Sequence, residues 1–269
     1  MQFEESFMSS ILLHEVKGKS EILTFNSPDK LNVLSEEMLK ELSAALTKCA
    51  INQSTHVVIL RSTGKAFCAG HDLKQMQKGR THQDKGLKYF NTLFDQCSKV
   101  MLQIKNLPKP VIAEVQGVAT AAGCQLVATC DIAVASEVAR FGVNGVNIGL
   151  FCSTPMVALS RNIGRKKTFE MLVTGDFMTA SEAREAGLVN YVTDEERLSS
   201  KTDEIAKKIS DKFKRVVKIG KKAFYNQAEM SLQDAYDYTA TIMAENMILD
   251  ETVEGISAFI DKRTPNWKE

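Results

Sequence analysis

Two short stretches of this sequence place small residues and polar groups where carbonyl chemistry could use them. FCAGHDL, Phe67 to Leu73, follows the apolar run Val57 to Leu60 and sets Ala69 and Gly70 ahead of His71, Asp72 and Leu73. A glycine in such a turn lets backbone approach a ligand closely. GVATAAGCQLVATCD, Gly117 to Asp131, puts small residues at the start of a segment that, as a helix, is apolar on nearly every side. Such a helix is buried, and its first amides and its dipole point at whatever lies before it. Side by side, the two stretches would make a two-part oxyanion hole, in which backbone N–H groups stabilise negative charge developing on a carbonyl oxygen. Taken singly, AGHD reads as a turn and AAGCQ as a close-packed helix. The pairing carries the inference.

The elements that must hold these stretches are legible from periodicity. A hairpin is predicted from Ile11 to Val16 and Glu21 to Phe25, around the polar turn Lys17 to Ser20. A helix follows, with Ser35 as N-cap, Glu36 and Glu37 in its first turn, and Met38, Leu39, Leu42 and Leu46 on one face. Leu87, Phe90, Leu93, Phe94, Cys97, Val100, Met101 and Ile104 recur at steps of three and four, which predicts a longer helix. Strands Val57 to Leu60, Val111 to Val115 and Asp131 to Ala135 alternate with these helices, so the fold class is α/β. Thr179 and Glu182 have the spacing of a capping box for a helix ending at Gly187, and from Glu195 onward the chain reads as amphipathic helix.

Bulk properties narrow the function classes. At 269 residues the chain can bury a sizeable core, and without a Pro/Gly/Ser-rich linker it reads as one domain with an appendage. A formal net charge of +1 gives no electrostatic case for nucleic acid or an acidic membrane surface, and the apolar runs are too short to span a bilayer. The six cysteines, at positions 49, 68, 97, 124, 130 and 152, show no framework spacing and are expected to be reduced and buried. His14, His56 and His82 show no metal spacing, and Cys124 and Cys130 are wrongly separated for zinc, so no metal is expected. The opening MQFEESFMSS lacks the pattern of a signal or transit peptide, which points to a cytoplasmic protein or a mature chain of the mitochondrial matrix.

The paired stretches closely resemble the crotonase superfamily, also called the enoyl-CoA hydratase/isomerase family, and within it the enoyl-CoA hydratase domain-containing branch. SPDKLNVLS, Ser27 to Ser35, is similar to the family's adenine-side loop, KPVIAEVQG, Lys109 to Gly117, to its central strand, and TGDFMTASEAREAGLVNYV, Thr174 to Val192, to the segment after its active site. The resemblance implies a ββα superhelical core, taken as residues 1–195, and a C-terminal helical region, 196–269, that forms homotrimers or homohexamers. It implies a coenzyme A thioester as substrate, with no permanently bound cofactor. The thioester oxygen would be held by the amides of His71 and Ala122, with Gly123 allowing close approach and Lys30, Leu31 and Ala69 to Leu73 lining the ligand. SAFIDKRTPNW resembles the family's last helix, where a basic residue meets the CoA phosphates. Lys262 and Arg263 are the candidates beside the plainer reading of a solvated terminus.

The catalytic carboxylates are where the resemblance breaks. A hydratase of this family uses one glutamate to activate water and another to protonate the α-carbon. The positions that match them here carry Gln125 and Gly145, and a third position used by related isomerases and hydrolases carries Ser153. An amide does not exchange protons at neutral pH, so two-glutamate hydration is not expected. The expected function is an acyl-CoA-binding member of fatty acyl-CoA metabolism that stabilises a thioester enolate. The alternatives are a methylmalonyl-CoA-type decarboxylase, whose enolate forms by loss of carbon dioxide without a base, and a non-catalytic acyl-CoA-binding protein. The His71 side chain either holds a substrate carboxylate or caps the turn through Asp72 or backbone. Gln125 either orients a polar group beside the thioester or satisfies backbone, and Asn144, Ser153 and Thr154 are further polar residues expected near the pocket.

Overall fold

The computed structural model describes residues 11–267, so the reading of the first ten residues falls outside it. β1 (Leu12–Lys17) and β2 (Ser20–Phe25) form the antiparallel hairpin, with Leu12 opposite Phe25 and Lys17 opposite Ser20. Ser35 caps α1 (Glu36–Ile51) by accepting from the Met38 amide, and Met38, Leu39, Leu42 and Leu46 are its buried face as predicted. Next come β3 (Val57–Ser62), β4 (Ala66–Cys68), α2 (Leu73–Gly79), α3 (Leu87–Asn106), β5 (Val111–Val115), β6 (Val118–Thr120) and α4 (Ala122–Thr129). They are followed by β7 (Ile132–Ser136), β8 (Arg140–Gly142), α5 (Pro155–Asn162), α6 (Arg165–Thr174), β9 (Met178–Thr179), α7 (Ala180–Glu185) and β10 (Tyr191–Thr193). Four helices close the chain: α8 (Leu198–Ser210), α9 (Lys214–Gln227), α10 (Leu232–Met247) and α11 (Asp250–Ile260).

The strands sort into two sheets, ordered β1-β2-β3-β5-β7-β10 and β4-β6-β8-β9. From β3 onward the chain alternates between them: β3, β5 and β7 enter the first sheet, and β4, β6 and β8 the second. Each pair is followed by helix and then by the next pair, lying parallel to its predecessor in both sheets. This is a ββα superhelix, the architecture that the family resemblance implies.

Side-chain alternation explains why the larger sheet is covered on both faces. Leu23, Phe25, Val58, Leu60, Val111 and Ala113 enter the main core, which also takes up α1, α3 and α4. Their neighbours Ile22, Val57, Ile59, Ile112 and Val134 face the other way and pack with Leu198, Ile205 and Ala206 of α8. The first helix of the C-terminal region is thus part of the packing of the sheet.

Two buried polar clusters tie distant segments together. Lys109 Nζ donates to Thr55 Oγ1 at 2.7 Å, to the Cys49 and Asn52 carbonyls, and to Glu21 Oε1 at 3.2 Å. Glu21 Oε2 faces His14 Nε2 at 2.9 Å. Burial alone would push the Glu21 carboxyl up, but hydrogen bonds from Thr55, Cys49 and Lys109 and the lysine charge hold it at about 2. On α9, Lys221 donates to the Ile104 and Lys109 carbonyls and pairs with Asp131 at 2.6 Å, while the Tyr225 hydroxyl donates to the same carboxylate at 2.8 Å. Asp131 also accepts the Val111 amide at 2.6 Å, so α9 is pinned where α3, β5 and α4 meet.

Candidate active site

The structure brings the two paired stretches into contact. Gly70 has φ +90°, a left-handed conformation that favours glycine, and a Cβ built on it would lie 3.0 Å from Ala121 Cβ, 3.2 Å from the Thr120 carbonyl oxygen and 3.4 Å from the Ala122 nitrogen. The AGHD turn therefore sits against the first residue of α4. Residue 121 precedes that helix with φ 50° and ψ −119°, strained for an alanine, and offers no side-chain cap. The first amides of α4 are left open as a result. Neither the His71 N–H nor the Ala122 N–H donates to another group of the described residues. All of Ala122 to Ala128 is buried, as expected of a helix that is apolar all round.

The Ser27–Ser35 loop is held along the same turn. The Ala69 amide donates to the Leu31 carbonyl at 3.1 Å, the Leu34 amide donates to the Gly70 carbonyl at 2.7 Å, and Leu34 bridges to His71. Asn32, fully buried in a left-handed conformation, is the anchor. Its Oδ1 accepts the Ser27 amide at 2.8 Å, and its Nδ2 donates to the Thr63 and Ala66 carbonyls at 2.8 Å each. Lys30 and Leu31 lie on the exposed side of this loop. Asp72 caps α2 by accepting from the Lys74 and Gln75 amides at 2.8 and 3.2 Å, and Leu73 is exposed.

The His71 side chain takes the backbone-capping role. Its Nδ1 lies 3.2 Å from the Leu34 carbonyl oxygen, which can only accept, so Nδ1 carries the proton. The ring stands edge-on to Phe94, with centroids 5.5 Å apart. Nε2 is buried and has no partner. Burial pushes the imidazole below its ordinary pKa, opposed by the Leu34 contact, so the ring is neutral at pH 7.

Gln125 is 4% exposed, on the first turns of α4, and its Oε1 is buried without a partner. Asn144 Oδ1 accepts from Thr120 Oγ1 at 2.7 Å, one residue before the strained alanine. Gly145 is closely surrounded. A Cβ there would run into the Leu150 carbonyl oxygen and come within 2.8 Å of Cys152 Sγ. Ser153 is exposed, and its Oγ reaches only the Phe151 carbonyl, at 3.4 Å; Thr154 is half-buried.

Gly123 lies at a helix–strand contact. A Cβ on it would overlap the Cys68 carbonyl oxygen and lie 2.8 Å from the carbonyl carbon and 2.9 Å from Cys68 Cβ. Its missing side chain lets α4 close on β4. The Cys68 and Cys124 thiols in these segments are pushed to about 12 by burial, so neither supplies a thiolate nucleophile. All six cysteines are free and buried.

No bond among the described residues ties the C-terminal cations to the AGHD turn or to α4. Arg263 forms a two-pronged pair with Glu254, at 2.6 and 2.9 Å, so its guanidinium is engaged within its own region. Lys262 forms no ion pair among the described residues. His14, Glu21 and Cys49 offer one donor atom each within 4.8 Å, a grouping that sequence spacing does not reveal. Both Glu21 oxygens are already engaged by Lys109, Thr55 and His14, so the cluster reads as a structural network.

Comparison with known proteins agrees with the geometry. The family profile "Enoyl-CoA hydratase/isomerase" matches residues 19–269. Enoyl-CoA hydratase domain-containing protein 3, mitochondrial, is 45% identical over 245 residues in the Mus musculus protein, covering 91% of this chain and 80% of that one, and 45% identical in the Homo sapiens protein over 91% and 79%. Among solved structures, an enoyl-CoA hydratase of Mycobacterium smegmatis superposes with TM-score 0.92 at 49% identity, over 96% of this chain and 99% of the other. The human enoyl-CoA hydratase domain-containing protein 3 follows with TM-score 0.91 at 43% identity, over 96% and 100%. A ββα superhelix that seats a glycine turn on the open end of a buried helix, in a chain matched over nearly its whole length, belongs to the enoyl-CoA hydratase/isomerase (crotonase) family, in its enoyl-CoA hydratase domain-containing branch.

Proposed function

We propose that this protein binds an acyl-CoA and stabilises the enolate of its thioester through the amides of His71 and Ala122. The observation that carries the reading is the contact of the Gly70 turn with the uncapped end of α4, which leaves both N–H groups without a partner. Donors fixed before the charge develops cost no reorganisation in the transition state. Lys30 and Leu31 lie along the same turn and are assigned to the CoA side. Lys262, rather than the Glu254-bound Arg263, is the candidate for the CoA phosphates.

Hydration by two carboxylates is not part of the proposal, because Gln125 and Gly145 occupy both positions and the second has no room for a side chain. Chemistry that ends at the enolate fits: isomerisation, exchange at the α-carbon, or decarboxylation of a malonyl-type thioester. Decarboxylation is favoured by one observation, that neither position offers a base, since losing carbon dioxide needs none. A role in fatty acyl-CoA metabolism as a lyase or isomerase, in the matrix or the cytoplasm, belongs to the same proposal. The curated relatives carry the word mitochondrial in their names, which supports the matrix.

We assign residues 1–195 to the catalytic core and 196–269 to the region through which copies associate as trimers or hexamers. The support is the exposed apolar surface of the last helices, with Phe224, Leu232, Tyr236, Met243, Phe259 and Ile260 all open to solvent in one chain. Mass spectrometry of 2-enoyl-CoA and alkylmalonyl-CoA thioesters incubated with the protein in deuterated water tests the function. Gain of deuterium or loss of carbon dioxide supports enolate chemistry. Binding with no change in any thioester would leave only the binding role.

A further inference from the structure

If the enolate forms by losing a proton, something must take that proton, and the familiar carboxylates are absent. The described residues of the site hold one buried basic atom without a partner, Nε2 of His71. Because Nδ1 donates to the Leu34 carbonyl, the neutral ring keeps its lone pair on Nε2. The structural duty of the side chain is complete without that atom: Nδ1 fastens the turn and the ring face meets Phe94. Burying an acceptor with nothing to accept is costly, and such atoms in native structures call for a reason.

The amide of the same residue is one arm of the hole. A base for the α-carbon must lie near the group that holds the thioester oxygen, and the imidazole and that N–H belong to one residue. Resting on the enolate reading above, we propose that His71 is the proton acceptor for the α-carbon, with its amide and its imidazole serving the two ends of one step. The α C–H bond breaks and a bond from hydrogen to Nε2 forms. The electron pair moves into the thioester as an enolate, whose oxygen accepts from the His71 and Ala122 amides. The imidazolium that results keeps its Nδ1–H on the Leu34 carbonyl and faces the new negative charge. It then returns the proton to carbon, so atoms and charge balance with no further reactant. Gln125 on α4, which also has a buried unpaired atom, is an amide and does not take a proton.

The test is exchange of α-hydrogen for deuterium in butyryl-CoA and octanoyl-CoA, with the full-length protein in deuterated water. The wild type is expected to exchange, and His71→Gln, which keeps the amide, to lose about 100-fold or more in rate, as removal of a general base does. Its affinity for octanoyl-CoA should stay within about threefold, since the amides that hold the oxygen are retained. His71→Ala should regain exchange with added imidazole and gain nothing from pyrrole, a readout that a merely structural role would not move. Wild-type exchange matched by undiminished exchange in His71→Gln overturns the assignment of the base and leaves the enolate reading standing. Thioesters that bind the wild type but never exchange overturn this inference, and the malonyl-type decarboxylation assay then decides the enolate reading separately.

Discussion

Gly70 and Gly123 lie in the two paired stretches, yet the structure gives them different contacts, and alanine at each separates the two. At Gly70 an alanine must adopt φ +90°, which costs an L-residue about 1–2 kcal/mol. Its methyl meets Ala121 Cβ at 3.0 Å and lies 3.4 Å from the Ala122 nitrogen, contacts that small shifts can relieve. A total near ~2–3 kcal/mol lowers the melting temperature by roughly 5–10 °C in a chain of this size. The methyl also crowds the Ala122 N–H, so acyl-CoA affinity should fall at least about tenfold, equal to ~1.4 kcal/mol. At Gly123 the methyl overlaps the Cys68 carbonyl, 2.8 Å from its carbon, and backbone on both sides must separate before it fits. Forcing α4 off β4 is overpacking of the severe kind, about 3 kcal/mol or more, a fall above roughly 10 °C. Circular dichroism melts and calorimetric titration with octanoyl-CoA, below both midpoints, read these out. A Gly123→Ala protein melting within about 2 °C of the parent would refute the helix–strand contact. Unchanged affinity in Gly70→Ala would refute the placing of the hole.

Asn32→Ala removes a fully buried side chain and its hydrogen bonds to three backbone partners, of which the Ala66 carbonyl keeps one from Ser62 Oγ, so denaturant titration should find about 2–4 kcal/mol lost; a loss under ~0.5 kcal/mol would show that Asn32 does not anchor the loop. Glu21 has its folded pKa lowered from 4.5 to about 2. Its ionised form is therefore favoured by folding, and a contribution of about 3 kcal/mol is present above the unfolded value and lost as pH falls from there toward the folded one. Lys109→Met strands that carboxylate and should cost about 3–5 kcal/mol at pH 7, with urea titrations giving a smaller penalty near ~pH 4, where the stranded carboxyl protonates. Equal penalties at both pH values would contradict the pairing. Gln125→Glu places an ionisable group where the amide oxygen has no partner. Burial should raise its pKa, so stability relative to the parent is nearly kept below the unfolded carboxyl value and lost as pH rises; a pH-independent difference would sink that expectation.

Much of the fold is written in local pattern. The Ser35 cap, the face of α1, the long helix α3 and the capping box at Thr179 and Glu182, which structure and sequence share, depend on residues three or four positions apart. The two-sheet superhelix is not legible that way, because β4, β6 and β8 have three residues each and carry too little alternation to declare a strand. α2 escaped for the same reason: its signal is Asp72, which in the sequence looks like part of the turn. The meeting of the two stretches was readable because Gly70 and the small residues before α4 are chemically unusual in pairs. What each glycine is for depended on a neighbour distant in sequence, Cys68 for Gly123 and Leu150 for Gly145. Lys109 with Glu21 and Lys221 with Asp131 are likewise pairings that only the fold creates.

The claim at the centre of this account is that the His71 and Ala122 amides hold the oxygen of a thioester. A crystal structure of the protein with octanoyl-CoA, or with its non-hydrolysable thioether-ketone counterpart, tests it most directly. The account predicts the acyl carbonyl oxygen within hydrogen-bonding distance, about 3 Å, of both nitrogens, with the CoA chain running along Lys30 and Leu31. An acyl carbonyl turned away from these amides, or a thioester seated elsewhere in the fold, would contradict it.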